Sequence, residues 1–164
     1  MASGESLITF TAHSNEPPGA NYAFVDTRNG HLVLTFDAAS AWVAIFSGVL
    51  PRNYAGGGIT VRIGWIAATA TAGNVKWNAQ FERHQDETDD LDADSFATAQ
   101  TVTVAAPANS GAMQYSDIVF TDGAQMDSIA AGESFRVKLS RDAADVADTM
   151  AGYAQMKTFE LRET

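Results

Sequence analysis

Alternating apolar and polar side chains mark two stretches in the middle of the chain. Residues 59–65 place Ile59, Val61, Ile63 and Trp65 on one side of a two-residue repeat, and residues 75–82 do the same with Val75, Trp77, Ala79 and Phe81. Successive side chains of a strand point to opposite faces, so both stretches are typical of half-buried strands. Small residues and Gly73 lie between them. We therefore expect one long antiparallel hairpin, with Trp65 and Trp77 as buried anchors and Glu82 on its solvent face.

Shorter strand patterns surround this pair. They cover residues 7–11, 22–26, 31–36, 42–50, 101–105, 113–120, 135–139 and 153–162. Asn29-Gly30 indicates a tight turn between the second and third of these, and Pro17, Pro18 and Gly19 indicate a loop. Residues 42–50 are apolar enough to predict a strand covered on both faces. Residues 121–132 predict a turn or one short helical segment that ends at Gly132.

The spacing of these elements predicts the fold class. About nine or ten strands joined by short turns, with almost no helical periodicity, are typical of an all-β antiparallel β-sandwich of the jelly-roll type. A parallel α/β arrangement is disfavoured because no amphipathic helices separate the strands. We expect residues 1–19 to form an N-terminal arm or loop with a short first strand, and residues 20–164 to form a single β-sandwich domain.

Charge and composition limit the partners. The 164 residues are 46% hydrophobic and 18% charged, as expected of a folded protein, and the net charge is −10. Nucleic-acid binding depends on clustered Lys and Arg, so we expect no nucleic acid, and an acidic chain is equally disfavoured on an anionic membrane. The absence of cysteine excludes disulfides and thiolate metal sites. The first ten residues show no secretory signal.

Three histidines and two acidic stretches are the candidates for chemistry. His13, His31 and His84 lie far apart and in no metal-binding spacing, so we interpret them as turn or surface residues. The run of acids in residues 86–94 resembles a calcium loop, but an EF-hand starting at Asp89 needs Gly and Glu where Asp94 and Gln100 stand. We therefore expect a solvated charged loop there, while an irregular calcium site stays open. The same holds for Asp142, Asp145 and Asp148.

The other motifs favour structural roles. Gly56-Gly57-Gly58 precedes a strand and no lysine follows, unlike a phosphate-binding loop. No serine lies in a nucleophile elbow. The aromatic side chains that could stack on sugars, if they are exposed, are Tyr22, Tyr54, Tyr115 and Tyr153, but their apolar neighbours favour core or subunit-interface positions. We predict no enzyme activity, no catalytic residue, no cofactor and no metal.

Four motifs resemble those of a known group of proteins. They are Asn15-Glu-Pro-Pro, Asp26-Thr-Arg-Asn-Gly-His, Gly48-Val-Leu-Pro-Arg-Asn-Tyr-Ala-Gly-Gly-Gly and Ala72-Gly-Asn-Val-Lys-Trp. Together they resemble small jelly-roll virion proteins of tailed bacteriophages and, more loosely, the capsid cement (head-decoration) proteins. The resemblance extends from about Leu7 to Arg162 and is carried by turn and core residues.

The resemblance implies a structural role. Cement proteins bind the outside of the head shell, usually as homo-dimers or homo-trimers, and stabilise the contacts between capsomers. It therefore implies the major capsid protein as partner and the outer capsid surface of a virion as location, for a protein made in the host cytoplasm. Under this interpretation the arm in residues 1–19 grips a neighbour and gains order on binding.

Two alternatives stay open at this point. The first is a trimeric tail-fibre head or a carbohydrate- or receptor-binding module of a phage, which would use exposed aromatics and the acidic loops at one end of the sandwich. The second is a calcium-assisted hydrolase on a jelly roll, which no feature of the sequence favours.

Overall fold

The structure is a computed structural model that describes residues 4–164. Ten strands are found in this part of the chain. They are β1 (Ser6–Phe10), β2 (Phe24–Arg28), β3 (His31–Phe36), β4 (Val43–Val49), β5 (Ile59–Ala67), β6 (Asn74–His84), β7 (Gln100–Ala105), β8 (Gln114–Phe120), β9 (Ser134–Arg141) and β10 (Ala154–Glu163). Two short 3-10 turns, Ala12–Ser14 and Ala124–Met126, complete the secondary structure of these residues.

The strands form two antiparallel sheets that face each other. The larger sheet has the order β2-β3-β10-β5-β8, with β1 also paired to β10, and the smaller has the order β4-β9-β6-β7. This arrangement confirms the prediction of an all-β antiparallel sandwich.

The predicted hairpin between β5 and β6 is wrong. β5 pairs with β10 and β8, whereas β6 pairs with β7 and β9 in the other sheet. Residues 68–73 thus cross from one sheet to the other. Trp65 and Trp77 face each other across the core, with ring centroids 5.8 Å apart at 69°. Alternation defines the buried side of each strand but not its partner, and two inward-facing strands can meet face to face as well as side by side.

The core lies between the two sheets and is rich in aromatic rings. Phe46 stacks on both Phe10 and Phe159, and the Phe81 ring lies edge-on to that of Phe120, with centroids 4.8 Å apart. One buried cluster contains these rings and both buried tryptophans. Burying large rings supplies much of the free energy that holds such sheets together.

The turn predicted at Asn29-Gly30 is confirmed. Asn29 and Gly30 both have positive φ, 47° and 76°, and join β2 to β3 in a tight hairpin. Two positive φ values in succession are what a two-residue hairpin loop requires, and Asn-Gly adopts them at little cost.

Two predicted exposures differ from the structure. β4 is an edge strand, and its residues Ser47 and Val49 are exposed instead of being covered on both faces. Glu82, expected on the solvent face, is fully buried. It lies on the outer side of the smaller sheet, but residues 85–99 fold back along β6 and place Phe96 against Arg136 and Lys138 on that side.

The N-terminal segment contributes to the larger sheet. Ile8, Thr9 and Phe10 pair with Leu161, Glu160 and Phe159 of β10. The first three residues of the predicted arm lie outside the described residues. Within residues 4–164, no helix has the length and apolar character needed to cross a membrane.

Candidate functional site

A hollow of about 500 Å³ opens on the outer face of the larger sheet. Its walls come from the five strands β2, β3, β5, β8 and β10 and from the loops that precede or follow them. Its lining includes Arg28, His31, Met113, Tyr115, Lys157 and Thr158. Val33 and Ile66 are buried beneath them, outside the main core cluster, and form an apolar floor.

The hollow lies where strand β10 changes neighbours. On one side β10 pairs with β3 from Ala154 to Met156, and from Phe159 onward it pairs with β1. Its register with β5 on the other side also shifts between Met156 and Thr158. An irregularity of this kind bends the strand and re-aims its side chains, which here puts Lys157 and Thr158 into the hollow.

Tyr115 provides an exposed aromatic ring at this site. It stands on β8 directly opposite Gly64 of β5, and a Cβ at Gly64 would lie 3.0 Å from Tyr115 Cε1 and 3.1 Å from Met113 Cε. Glycine therefore lets both side chains lie close against the sheet. The Arg62 guanidinium carbon is 4.7 Å from the Tyr115 ring centroid, and Arg62 is paired with Asp117 at 3.1 Å. These contacts fix the ring, while half of the residue stays exposed.

The polar lining of the hollow is basic. Arg28, His31 and Lys157 line it together with Asn29 and Thr158, and no carboxylate is among its lining residues. Because the chain has a net charge of −10, this basic lining distinguishes the hollow from the predominantly acidic protein as a whole. The Arg28 Nη1 donates to the carbonyl oxygens of Ala67 and Ala68 at 3.0 and 2.8 Å, which holds its guanidinium in place.

A second aromatic group lies at another place on the surface. Trp42 stacks on Tyr153 with ring centroids 6.1 Å apart, and Phe24 meets both rings edge-on. Tyr22 is 49% exposed and lines a hollow of about 330 Å³ with Phe24 and Trp42. This hollow offers rings but no charged side chain among its lining residues.

The structure confirms a core position for one of the four candidate tyrosines and contradicts it for the other three, whose position at a subunit interface stays a prediction. Tyr54 is nearly buried, but Tyr22, Tyr115 and Tyr153 are exposed within the described chain rather than in its core. In β8 the neighbours of Tyr115 point to the other face of the strand. For Tyr115 the period-two pattern contained this signal, because its neighbours Ser116 and Ile118 alternate into the buried side.

A separate cluster combines two carboxylates with a histidine. Donor atoms of Glu82, His84 and Asp94 all lie within 4.8 Å of one another. Glu82 and His84 come from the outer side of β6. Asp94 comes from the loop of residues 85–99 that covers this side, called the covering loop here. The sequence pattern indicates a surface position for His84 and a solvated loop for Asp94. The folding of that loop brings both residues to Glu82.

Cations and one aromatic ring surround this cluster. Arg136 and Lys138 both lie on the Phe96 ring, with the Lys138 Nζ 4.5 Å from its centroid. Burial lowers the pKa of Lys138, against the opposing attraction of the Glu82 carboxylate. Arg136 donates to Glu82 Oε2 from Nε at 3.0 Å and from Nη2 at 2.5 Å.

The remaining sequence candidates have structural partners. Lys76 Nζ lies 2.5 Å from Asp145 and 3.6 Å from Asp142, and its hydrogen bond lowers the pKa of Asp145. Asp148 pairs with Arg141. Asp89 accepts the backbone N–H of Gln85 at 2.6 Å. His13 is an exposed residue of a 3-10 turn, whereas His31 lines the hollow on the larger sheet.

Sequence comparisons and structural comparisons give different results. No protein-family model matches the chain and no curated protein matches it. The fold is similar to that of the CBM22-2 xylan-binding domain from Paenibacillus barcinonensis Xyn10C, with a TM-score of 0.55 at 12% identity over 97% of this chain and 100% of that domain. It is also similar to the CBM22-1–CBM22-2 tandem of the same protein, with a TM-score of 0.52 at 12% identity over 99% of this chain and 46% of the tandem.

A third similarity is weaker. The family 11 carbohydrate-binding module of Clostridium thermocellum, solved with a β-1,3-1,4-mixed-linked tetrasaccharide, matches with a TM-score of 0.48 at 7% identity, over 100% of this chain and 98% of that module. At these identities, the comparisons establish a β-sandwich fold of the kind found in carbohydrate-binding modules. Nothing in them indicates a virion or capsid protein.

Proposed function

We propose that this protein is a non-catalytic carbohydrate-binding module that holds a polysaccharide chain in the hollow on the outer face of its larger sheet. The observation that carries the proposal is the exposed, fixed ring of Tyr115 beside a basic and hydroxylic lining. A sugar ring presents C–H groups on its faces and hydroxyl groups on its rim. An aromatic ring flanked by hydrogen-bonding side chains complements both.

The fold supports the same proposal. The similar domain from Paenibacillus barcinonensis is described as xylan-binding, and this chain covers all of that domain. This supports the alternative of a carbohydrate-binding module over the capsid cement protein. Fold similarity alone does not establish function, so the proposal depends on the hollow beside Tyr115.

The basic lining narrows the class of ligand. Arg28, His31 and Lys157 face the same space, and a saccharide with carboxylate groups would pair with Lys157 and with the guanidinium of Arg28. We therefore expect glucuronate-substituted xylan or another uronate-containing polysaccharide to bind more tightly than an unsubstituted chain. Salt should weaken that difference because it screens exposed charges.

Calorimetric titration of the full chain with xylo-oligosaccharides, with and without glucuronate branches, tests the proposal. Tyr115→Ala should weaken binding at least tenfold, whereas Val119→Ala, an exposed substitution on the same strand and face, should leave it unchanged. Far-UV circular dichroism checks that both variants fold.

Tyr22→Ala is the comparison that assigns the site. Tyr22 is as exposed as Tyr115 but lines the other aromatic hollow. Loss of binding in Tyr22→Ala with full binding in Tyr115→Ala would move the site to the Trp42 group. No binding to any plant or bacterial cell-wall polysaccharide by the wild-type chain would reject the proposal.

The capsid cement hypothesis stays a prediction. It requires the major capsid protein as partner, a dimer or trimer, and a place on the outer surface of a virion. A mass-spectrometric copy number on purified particles would test the place on the shell, since a shell protein is present in hundreds of copies, and a size measurement in solution would test self-association.

A further inference from the structure

We infer that Glu82, His84 and Asp94 form a binding site for one divalent transition-metal ion of the zinc type. The site lies on the outer side of the smaller sheet, apart from the proposed carbohydrate hollow. Its existence does not depend on the carbohydrate proposal.

The first observation is that three donor atoms with no hydrogen-bond partner converge. They are Glu82 Oε1, His84 Nε2 and Asp94 Oδ2, each buried and without a hydrogen bond among the described residues. The Glu82 side chain is 1% exposed, and its Oε1 lies 3.7 Å from His84 Nε2. Leaving a buried polar atom unpaired is costly, and three such atoms within 4.8 Å of one another indicate that something binds between them.

The second observation is that the opposite atom of every donor group is held. Arg136 donates twice to Glu82 Oε2, the Ser95 backbone N–H donates to Asp94 Oδ1 at 2.8 Å, and His84 Nδ1 lies 3.3 Å from Ser134 Oγ. With the proton on Nδ1 donated to Ser134, the lone pair of Nε2 points into the cluster. Metal-binding residues are commonly oriented in this way by hydrogen bonds from behind.

The donor set selects the class of ion. One imidazole nitrogen and two carboxylate oxygens suit zinc and its neighbours, whereas calcium takes six to eight oxygen ligands. The two carboxylates also bring negative charge to a divalent ion, although Arg136 offsets part of the charge of Glu82. Arg136 already engages the far oxygen of Glu82, so it does not block the near one. His84 also lines an open hollow of about 620 Å³, which gives the ion a route from solvent.

An ion at this site would fix the covering loop to strand β6. Residues 85–99 are attached to the sheet by the Ala97 N–H and by Gln80 Nε2, which donates to the Ala97 carbonyl oxygen at 2.9 Å. Asp94 lies in this loop and the other two ligands lie on β6. An ion held by all three would tie the loop to the strand and stabilise the folded state.

The experiment uses the full chain with any affinity tag removed, because tag histidines bind zinc. Chelator-treated protein is titrated with zinc chloride, with binding followed by calorimetry and stability by thermal unfolding. We expect one ion per chain. At a free zinc concentration of one hundred times Kd, the expected rise in Tm is about 5 to 10 °C. Calcium at the same concentration should produce no comparable shift.

Matched variants identify the ligands. Asp94→Asn and His84→Gln should each weaken zinc binding at least tenfold, while Asp92→Asn, an exposed carboxylate of the same loop, and His13→Gln, an exposed histidine, should not. X-ray absorption on the zinc-loaded wild type should show nitrogen and oxygen neighbours at about 2.0–2.2 Å. That measurement stands even where a variant fails to fold.

Three results would overturn the inference. One is the absence of stoichiometric zinc binding by the wild-type chain, which would leave the cluster as a protonated imidazole between two carboxylates or as a water site. Another is zinc binding that persists in both His84→Gln and Asp94→Asn. The third is calcium binding as tight as that of zinc, which would assign an oxygen-ligand site instead.

Discussion

Arg141 and Asp148 form a buried ion pair at the end of β9. The Arg141 Nε and Nη2 lie 2.9 and 2.7 Å from the two carboxylate oxygens of Asp148, and the side chains are 0% and 1% exposed. Arg141 also donates to the carbonyl oxygens of Met150 and Gly152, at 2.5 and 2.6 Å. The Arg141 guanidinium therefore fixes the end of the acidic connection between β9 and β10, while Lys76 holds its start through Asp142 and Asp145.

Removing one partner of this pair should be severely destabilising. Arg141→Met leaves the Asp148 carboxylate buried without its counterion, and we expect a loss of about 3–5 kcal/mol in the free energy of unfolding. Urea unfolding measures it. The control is Arg62→Met, which removes the exposed pair with Asp117 and should cost about 0–1 kcal/mol. Equal losses in the two variants would contradict the burial argument.

A methyl group at position 64 should disturb the hollow. In Gly64→Ala the new Cβ meets Thr158 Oγ1 and crowds Tyr115 and Met113, so we expect a loss of about 1–3 kcal/mol in stability and weaker saccharide binding. Chemical denaturation and calorimetry measure the two effects. Gly19→Ala, where a Cβ would meet no atom within 4 Å, is the control and should change neither.

The hydroxyl of Ser116 satisfies a buried indole. Trp65 Nε1 donates to Ser116 Oγ at 2.8 Å, and both residues are buried. Ser116→Ala should therefore cost about 1–3 kcal/mol in urea unfolding, since the indole N–H is left unpaired. Ser47→Ala removes an exposed hydroxyl that donates to Glu16 Oε2 at 2.7 Å, and it should cost much less. A larger loss from Ser47→Ala would speak against this account of the core.

The Tyr54 phenol should lose its proton at a higher pH than an ordinary tyrosine. Burial raises its pKa to about 12, with the Asp122 carboxylate adding to the rise and the Gly58 N–H, which donates to the phenol oxygen at 2.9 Å, opposing it. The unfolded chain loses this proton near pH 10, so the stabilisation is complete below pH 10 and disappears as the pH rises towards 12. In an NMR titration of the tyrosine rings, one resonance should shift at a higher pH than the others, and Tyr54→Phe should remove it. Its ionisation near pH 10 would contradict the structure.

The sequence was sufficient for the strands and for several turns. Asn29-Gly30 forms the predicted hairpin turn, and alternation placed Phe135, Val137 and Leu139 on the buried side of β9. Both signals are local, since one depends on backbone angles and the other on a two-residue repeat. Strand partners are not local, and for this reason the predicted β5–β6 pairing was wrong although both strands were found.

The candidate sites were harder to predict because folding assembles them from distant residues. Tyr115 and Lys157 line the same hollow beside a register shift in β10, which leaves no pattern in the sequence. Glu82 was predicted to be exposed because period-two reasoning sees one strand at a time and not the loop that covers it. His84 and Asp94 were both noticed, but ten residues separate them and only the folded loop brings them together.

Amide chemical shifts in the presence of saccharide test the central claim most directly. In a titration of isotope-labelled full chain with glucuronate-branched xylo-oligosaccharide, we predict saturable shifts concentrated around Gly64, Tyr115 and Lys157. Val49, exposed on the edge strand of the smaller sheet, should not shift. Saturable shifts confined to the smaller sheet, or none with any polysaccharide tested, would contradict the assignment of this hollow as a carbohydrate-binding site.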